Sequence, residues 1–230
     1  MLRISGILVF ISIPLFGQQN TAAAGNGQPS KHILGIIPNF RTTPILKEYK
    51  PLSTKQKFTI ATQDSFDRGT VALATFFAGE GQLIGKNPSF GQGAEGYAHR
   101  WATTYADYLV GNFMTEAIFP SLLHQDPRYF RRGAGSPWSR LGYAVSQVVW
   151  TRGDSGKGQV NFSEILGNST AAAISTSYYP DGRNASGAAS SLAVQLGIDA
   201  ASNILKEFWP VKMSPPKPDP ANATPRQSPD

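Results

Sequence analysis

The sequence of 230 residues contains no cysteine, only three histidines and few charged residues, which make up 16% of the chain. Without cysteine there are no disulfide bonds and no thiolate ligands for a metal, so packing alone must stabilise the fold. The lysines and arginines are scattered, without the long basic runs that are typical of nucleic-acid-binding proteins. These absences exclude a disulfide-linked scaffold and a cysteine-based metal centre, and they indicate that nucleic acid is not a partner.

A short basic start, Met1–Arg3, precedes an uncharged apolar stretch that runs from Ile4 to Phe16. Small residues at Gly17 and at positions 22–24 then offer cleavage sites, which is the layout of a secretory signal peptide. The apolar stretch is too short to span a bilayer comfortably. We therefore predict a signal peptide over residues 1–24 and an exported protein, periplasmic or associated with the outer membrane. A retained signal anchor is the alternative.

Proline-rich segments flank the central part of the chain. Prolines at positions 38, 44 and 51 rule out a long helix over residues 25–52, so we predict an extended arm along the domain surface, with one short strand. Residues 211–230 form a Pro-rich polar tail that is disordered by composition. The formal net charge of +6 implies a weak preference for anionic surfaces such as lipid head groups or envelope polysaccharide.

Residues 53–210 show helical spacing of apolar residues and several helix-capping patterns. The predicted helix starts are Ser53, Asp126, Ser136, Asn161 and Asn184, and one further helix runs from about Ala94 to Phe119. A break near Gly69 would divide the first helix in two. The sequence therefore predicts an all-α bundle of five or six helices, preceded by the extended arm and followed by the disordered tail.

Two of the predicted helices carry small residues at every fourth position. The first line is Gly167, Ala171 and Ser175, and the second is Ala189, Ala193, Gly197 and Ala201. Small side chains at this spacing allow two helix backbones to approach closely. We predict that these helices form an antiparallel hairpin, and that such faces offer a route to a homo-oligomer.

The central stretch from Leu122 to Arg132 concentrates one histidine, one acid and three arginines between apolar residues. We interpret Asp126–Pro127 as a helix cap followed by proline at the first helical position. This places Arg128, Arg131 and Arg132 on about one helical turn, with Arg140 shortly after. The cluster either binds an anionic group or joins two helices through ion pairs.

Glu116 continues an apolar and aromatic helical stripe, so we predict a buried carboxylate that needs an arginine partner. The candidate ligand-binding residues are Glu116, His124, Arg128, Arg131 and Arg140. No catalytic residue, metal ligand or cofactor is predicted. His124-x-Asp126 is the only local metal-like pair, and the cap explains Asp126 better.

Three other patterns have ordinary structural explanations. Gly153-Asp154-Ser155-Gly156 spells the tetrapeptide around a serine-protease nucleophile, but here it is a Gly-rich connection between helices. The aromatic line Tyr97, Trp101, Tyr105 and Tyr108 belongs to the core or forms a sugar- or lipid-facing surface. The polar line Ser191, Gln195, Asp199, Ser202 and Lys206 is interpreted as a solvated helix face.

Several blocks of the chain resemble a family of exported bacterial proteins that has no assigned function. They are TQDSFD, NPSFGQGAEGYAHR, FPSLLHQDPRYFRRG, NFSEILGNS and KEFWP. The resemblance covers roughly Ile36 to Pro210. It implies a helical exported domain, and it implies nothing about chemistry.

From these observations we expect a non-enzymatic cell-envelope protein whose helical bundle packs against a membrane surface or a protein partner. The alternative is an envelope hydrolase or anionic-ligand-binding protein with a pocket at Glu116, His124 and Arg128. An enzyme of that kind would need Glu116 and His124 to converge on a cavity that is open to solvent.

Overall fold

A computed structural model describes residues 30–44, 49–182 and 184–209. The predicted signal peptide and the predicted C-terminal tail lie outside the described residues, as does part of the arm. In the described part the fold is mostly helical. The helices are α1 (Thr54–Ser65), α2 (Arg68–Leu83), α3 (Gly93–Asn112), α4 (Phe119–Leu122), α5 (Pro137–Ser146), α6 (Phe162–Ser175) and α7 (Ala185–Phe208). A π-helical segment, Phe113–Ile118, joins α3 to α4, so these two form one continuous helix.

The strands of the described residues are short and form three two-stranded pairs. They are β1 (His32–Ile33) with β2 (Ile37–Pro38), β3 (Thr42–Pro44) with β4 (Tyr129–Arg131), and β5 (Trp150–Arg152) with β6 (Gly158–Val160). The β3–β4 pair is parallel and the other two are antiparallel. The prediction of an all-α fold is therefore right only as a broadly helical fold, and the arm contributes three strands rather than one.

Most of the predicted helix starts are confirmed. Ser53 and Gln56 form the capping box, in which each side chain satisfies a free backbone N–H of the other. The side chains of Ser136, Asn161 and Asn184 cap α5, α6 and α7 in the same local way. The break near Gly69 is also present, because Asp67 caps a new helix at Arg68. These predictions are correct because each cap depends on residues only two or three positions apart.

The predicted helix after Asp126–Pro127 is wrong. The Asp126 carboxylate accepts the Arg128 N–H at 3.0 Å, which is a turn, and the chain then enters β4. Pairing with β3 decides this, since the Tyr129 N–H donates to the Arg41 carbonyl at 2.9 Å. The arginines of this stretch consequently do not share a helical turn. Gly153–Gly156 is likewise the turn of the β5–β6 hairpin and not a connection between helices.

Many of the buried apolar residues are alanines, and many large apolar side chains are exposed. The buried alanines are Ala61, Ala74, Ala78, Ala117, Ala144, Ala171 and Ala172. Gly167 of α6 lies against the π-helical segment, where a Cβ would come within 2.8 Å of Thr115 Cγ2. Space made by small residues therefore lets α6 approach the middle of the long helix.

Helix α7 turns a different face toward the interior from the one that we predicted. It packs against α6, but its line of small residues is exposed, and a Cβ at Gly197 would meet nothing within 4 Å. Val194 and Ile198 beside that line are exposed as well. Its polar line instead faces the interior. Within the part of the chain that the structure describes, no helix is both long and apolar enough to cross a membrane.

Candidate functional site: a buried acid cavity

A cavity of about 630 Å³ lies inside the bundle, lined on one side by α3 and on the other by α7. Residues of the arm, α1, the π-helical segment and α6 complete its wall. Six of the ionisable side chains in this wall act on one another and define what we call the acid cavity: Arg41, Asp64, Glu116, Glu164, Asp199 and Lys206. They come from five separate stretches of the chain.

Arg41 joins two of the carboxylates. Its Nε donates to the Pro127 carbonyl at 2.9 Å, which fixes the guanidinium in place. Nη1 then lies 3.4 Å from Glu116 Oε1, and Nη2 lies 3.2 Å from Glu164 Oε2. Burial acts to lower the pKa of Arg41, but the charges of Glu164 and Glu116 outweigh it and raise that pKa above its usual value. The guanidinium therefore stays charged.

Asp64 of α1 and Glu116 of the π-helical segment form the first acid pair. Burial, and then the charge of Asp64, raises the pKa of Glu116 well above its usual value, and burial also raises the pKa of Asp64. No N–H or O–H donor among the described residues reaches Glu116 Oε2. Burial and the neighbouring charge therefore favour the protonated form in this pair of carboxyl groups.

Glu164 of α6 and Asp199 of α7 form the second acid pair. Burial, followed by the charge of Glu164, raises the pKa of Asp199 well above its usual value. The amide of Asn168 donates to Asp199 Oδ2 at 2.8 Å and positions that carboxyl group. The second pair thus repeats the first, with Arg41 between the two pairs.

Lys206 is the second cation of the cavity. Its side chain is buried, with the residue only 8% exposed, and burial followed by the charge of Arg41 lowers its pKa. No carboxylate oxygen of the described residues lies within 4.0 Å of its Nζ, in contrast to the ion-paired Lys57. One helical face of α7 carries Gln195, Asp199, Ser202 and Lys206 into the cavity, so our interpretation of this line as a solvated face is wrong.

The predicted site residues lie in different parts of the structure. Glu116 is 2% exposed, and its arginine partner is Arg41 of the arm rather than an arginine of the central stretch. The His124 side chain is 84% exposed, with φ of +52°, and its nearest carboxylate is Asp154 at 3.8 Å. His124 does not line the cavity, so Glu116 and His124 do not converge.

The predicted arginines face acids of the protein itself. Arg128 lies on Asp126, with Nη2 2.6 Å from Oδ2, at the wall of the same cavity. Arg140 Nε donates to Glu207 Oε1 at 2.8 Å, and Arg131 Nε donates to the Glu207 carbonyl at 3.0 Å. This geometry favours the interpretation in which the arginines join structural elements. A ligand-binding role for them stays a prediction.

Glu207 is the centre of a second buried charged group, which we call the Glu207 clamp. Its carboxylate accepts from the Tyr129 hydroxyl at 2.8 Å and from the backbone N–H groups of Arg132 and Gly133 at 2.9 Å each. Burial acts to raise the pKa of Glu207, but Arg140 and these donors outweigh it and hold the pKa below its usual value. The clamp is defined by Glu207, Tyr129, Arg131, Arg132, Gly133 and Arg140.

Asp154 of the Gly-Asp-Ser-Gly motif also has a structural partner. Lys57 of α1 is fully buried, and its Nζ lies 2.8 Å from Asp154 Oδ2 and 3.1 Å from the Pro120 carbonyl. The motif therefore ties the β5–β6 hairpin to α1. Across the described ranges, no three acidic or histidine side chains are arranged to hold a metal ion.

Sequence reasoning found only Glu116 of the acid cavity. Glu164 stands three residues after the predicted Asn161 cap, where a capping role already explained an acid. Arg41 lay in a segment without helical signals. Asp199 and Lys206 are seven residues apart, a spacing that equally fits a solvated face. The regular polar line of α7 was the available signal, although it does not say which way the helix turns. Comparison with family models, with curated proteins and with solved structures finds no match to this chain.

Proposed function

We propose that the protein is a non-enzymatic cell-envelope protein whose helical bundle packs against a membrane surface. The observation that carries this proposal is the distribution of side chains: several charged residues are buried while many large apolar residues are exposed. Exposed contiguous apolar surface is typical of proteins that contact lipid or another protein. Export, on which the envelope location depends, stays a prediction from the leader.

The contact surface that we propose runs along α5 and the β5–β6 hairpin, and we call it the hairpin surface. Its exposed members are Trp138, Val145, Val149, Trp150, Val160 and Phe162. Trp138 and Val145 lie seven residues apart on one face of α5, and Val149 follows in the turn between α5 and β5. Trp150 and Val160 are partners across the strand pair, so their side chains lie on the same face of the hairpin.

Two features favour a lipid surface as the occupant. Trp138 is 80% exposed and Trp150 is 49% exposed, and tryptophan is enriched where proteins meet the membrane–water interface. Lys157 is exposed in the hairpin turn, and the chain has a formal net charge of +6, so anionic head groups would be attracted. Arg152 lies over the Phe130 ring at 5.0 Å and stiffens the hairpin from behind.

Vesicle flotation tests the proposal. The protein should float with phosphatidylglycerol–phosphatidylcholine vesicles more than with pure phosphatidylcholine vesicles. Trp138→Ser combined with Trp150→Ser should lower the floated fraction several-fold. Leu83→Ser is the matched control, because Leu83 is 89% exposed on α2, a helix that contributes no residue to the hairpin surface. All three chains carry the same leader, so its contribution cancels.

Equal flotation of the double variant and the Leu83→Ser control would contradict the membrane role of the hairpin surface. If the double variant instead changes the oligomeric state in size-exclusion chromatography, a second copy of the chain is the occupant. The competing hydrolase with Glu116, His124 and Arg128 is not favoured, because His124 lies on the surface and the Glu116 carboxylate is buried.

A further inference from the structure

We propose that the acid cavity binds an organic dication of the alkyl diamine class, with its ammonium groups at the two carboxyl pairs. The proposal is independent of the membrane role, since none of the residues of the hairpin surface lines this cavity. It begins from charge. The acid cavity combines four carboxyl groups, Asp64, Glu116, Glu164 and Asp199, with two cations, Arg41 and Lys206. Three further acids and three further basic side chains line the wall and balance one another in charge. Full ionisation would therefore leave two uncompensated negative charges.

Hydrogen bonding within the cavity points to the same chemistry. Gln195 Oε1 is a buried acceptor that receives no hydrogen bond from the described residues, and Glu116 Oε2 receives none from an N–H or hydroxyl group, which leaves only the neighbouring Asp64 carboxyl group to contact it. Glu116 itself is almost completely buried. Buried polar atoms nearly always have partners, so each unpartnered acceptor needs an explanation. A ligand that brings N–H donors and positive charge supplies both things that the cavity lacks.

The size and the opening of the cavity also fit an alkyl diamine. A volume of about 630 Å³ lies within the range of small-molecule sites, roughly 300–1,000 Å³. Phe77, Val194 and Ile198 line the cavity and are exposed, so they surround its opening. These residues offer apolar contacts to an aliphatic chain in the same cavity as the carboxyl pairs.

Binding of the dication would exchange it for the protons that the empty pairs hold. One proton leaves the Asp64–Glu116 pair and one leaves the Glu164–Asp199 pair, so the charge of the cavity stays balanced. The charged groups that face these pairs are Arg41 from the arm and Lys206 from α7. Because neither cation is displaced, the exchange should release close to two protons per bound diamine.

Isothermal titration calorimetry of the full chain with 1,4-diaminobutane tests the proposal. Two matched probes separate the required features: 1,4-butanediol keeps the donors without the charge, and the fully N-methylated bis-quaternary diamine keeps the charge without N–H donors. The diamine should bind in a saturable manner and at least about tenfold more tightly than either probe. Titrations in two buffers of different ionisation enthalpy should report the released protons. Equal binding of all three probes, or binding without proton release, would overturn the proposal.

Variants locate the binding. Glu116→Gln and Asp199→Asn should each weaken diamine binding about tenfold to a hundredfold, the cost of one charge-assisted hydrogen bond. Glu95→Gln is the control, since Glu95 is an exposed acid on α3 that does not line the cavity. An equal loss in Glu95→Gln would mean that the diamine binds to surface acids only, and the proposal would fail.

Lys206→Met provides a test with the opposite sign. Removal of the buried cation takes away a like charge, so diamine binding should become about tenfold tighter. The variant should also fold, because no carboxylate oxygen of the described residues lies within ion-pair distance of Lys206 Nζ and the nearby carboxyl groups can take up a proton when the cation is removed. Loss of binding in Lys206→Met would show that the ligand carries an anionic group for this lysine, and it would overturn the assignment of a dication.

Discussion

The protein buries acids in two ways, and the Glu207 clamp differs from the acid cavity in how it satisfies them. In the clamp, one carboxylate receives donors from a hydroxyl, two backbone N–H groups and Arg140, so it stays ionised. In the cavity, four carboxyl groups face two cations, and the pKa values of Asp64, Glu116 and Asp199 rise.

The difference teaches which of the two centres is structural. Removal of a buried charge that has a full set of donors destabilises the fold. A buried acid that stays neutral through its own proton contributes little to stability. The clamp joins β4, the loop after it, α5 and the end of α7 into one unit. The cavity, in contrast, keeps unsatisfied acceptors and open volume, which are properties of a binding site.

The largest expected effect is in the clamp. Glu207→Gln removes the charge that Arg140 and Arg131 face, so the free energy of unfolding should fall by about 3–5 kcal/mol. Urea denaturation followed by circular dichroism measures it. Glu95→Gln, a change of an exposed acid, should stay within about 0.5 kcal/mol of the wild type. A loss of similar size in both variants would contradict a structural role that is specific to the clamp.

The Lys57–Asp154 pair should behave like the clamp on a smaller scale. Asp154→Asn leaves the buried Lys57 ammonium without its counter-charge, and the expected loss is about 1.5–3 kcal/mol. Chemical denaturation of Asp154→Asn beside Ser155→Ala shows whether the acid or the neighbouring serine of the motif stabilises the fold. If Ser155→Ala is the more destabilising of the two, the motif stabilises the hairpin in another way.

The two centres should respond to pH with opposite signs. The folded pKa of Glu207 is lowered, so its stabilisation is present above the unfolded pKa and is lost as the pH falls through the folded pKa. The folded pKa of Glu116 is raised, so its contribution is present at low pH and is lost as the pH rises through that pKa.

Glu116→Gln therefore should gain stability relative to the wild type as the pH rises, whereas Glu207→Gln should lose its deficit as the pH falls. Denaturation curves at several pH values between acid and alkaline conditions give both comparisons. Parallel curves for Glu116→Gln and the wild type would show that Glu116 is already ionised in the fold, and the contrast between the two centres would disappear.

The smallest effect is expected at His124. Its side chain is exposed and belongs to neither centre, so His124→Asn should change the free energy of unfolding by no more than about 0.5 kcal/mol. Asparagine suits the test because it tolerates the left-handed backbone conformation that His124 adopts. Thermal and urea unfolding check the result, and a loss above 1–2 kcal/mol would assign His124 a packing role.

Local signals explain which parts of the fold were predictable. The capping contacts of Ser53 with Gln56 and of Asn161 with Glu164 span three residues, so the sequence contains both partners. Asp126–Pro127 has the same local chemistry in a turn as in a helix cap. The backbone of Arg41, 88 positions before Tyr129, decides between them by pairing with β4.

The candidate site was less predictable, because its partners are far apart in the chain. The burial of Glu116 followed from its place in an apolar stripe, but its partner Arg41 lies in an arm that carries no helical pattern. The orientation of α7 was equally undetermined. Its small apolar line and its polar line have the same helical period, so periodicity alone fits either line facing the interior.

By itself, the sequence determined a mostly helical chain without disulfide bonds, the positions of most helix starts and the burial of one acid at Glu116. These features depend on neighbours within one or two turns of a helix. Only the tertiary structure decided that α7 turns its acids inward, that Arg41 joins two carboxyl pairs and that Glu207 collects its donors. A buried charge is stabilised by partners that the fold brings close from distant parts of the chain. Local sequence patterns do not contain those partners, so they do not predict the burial.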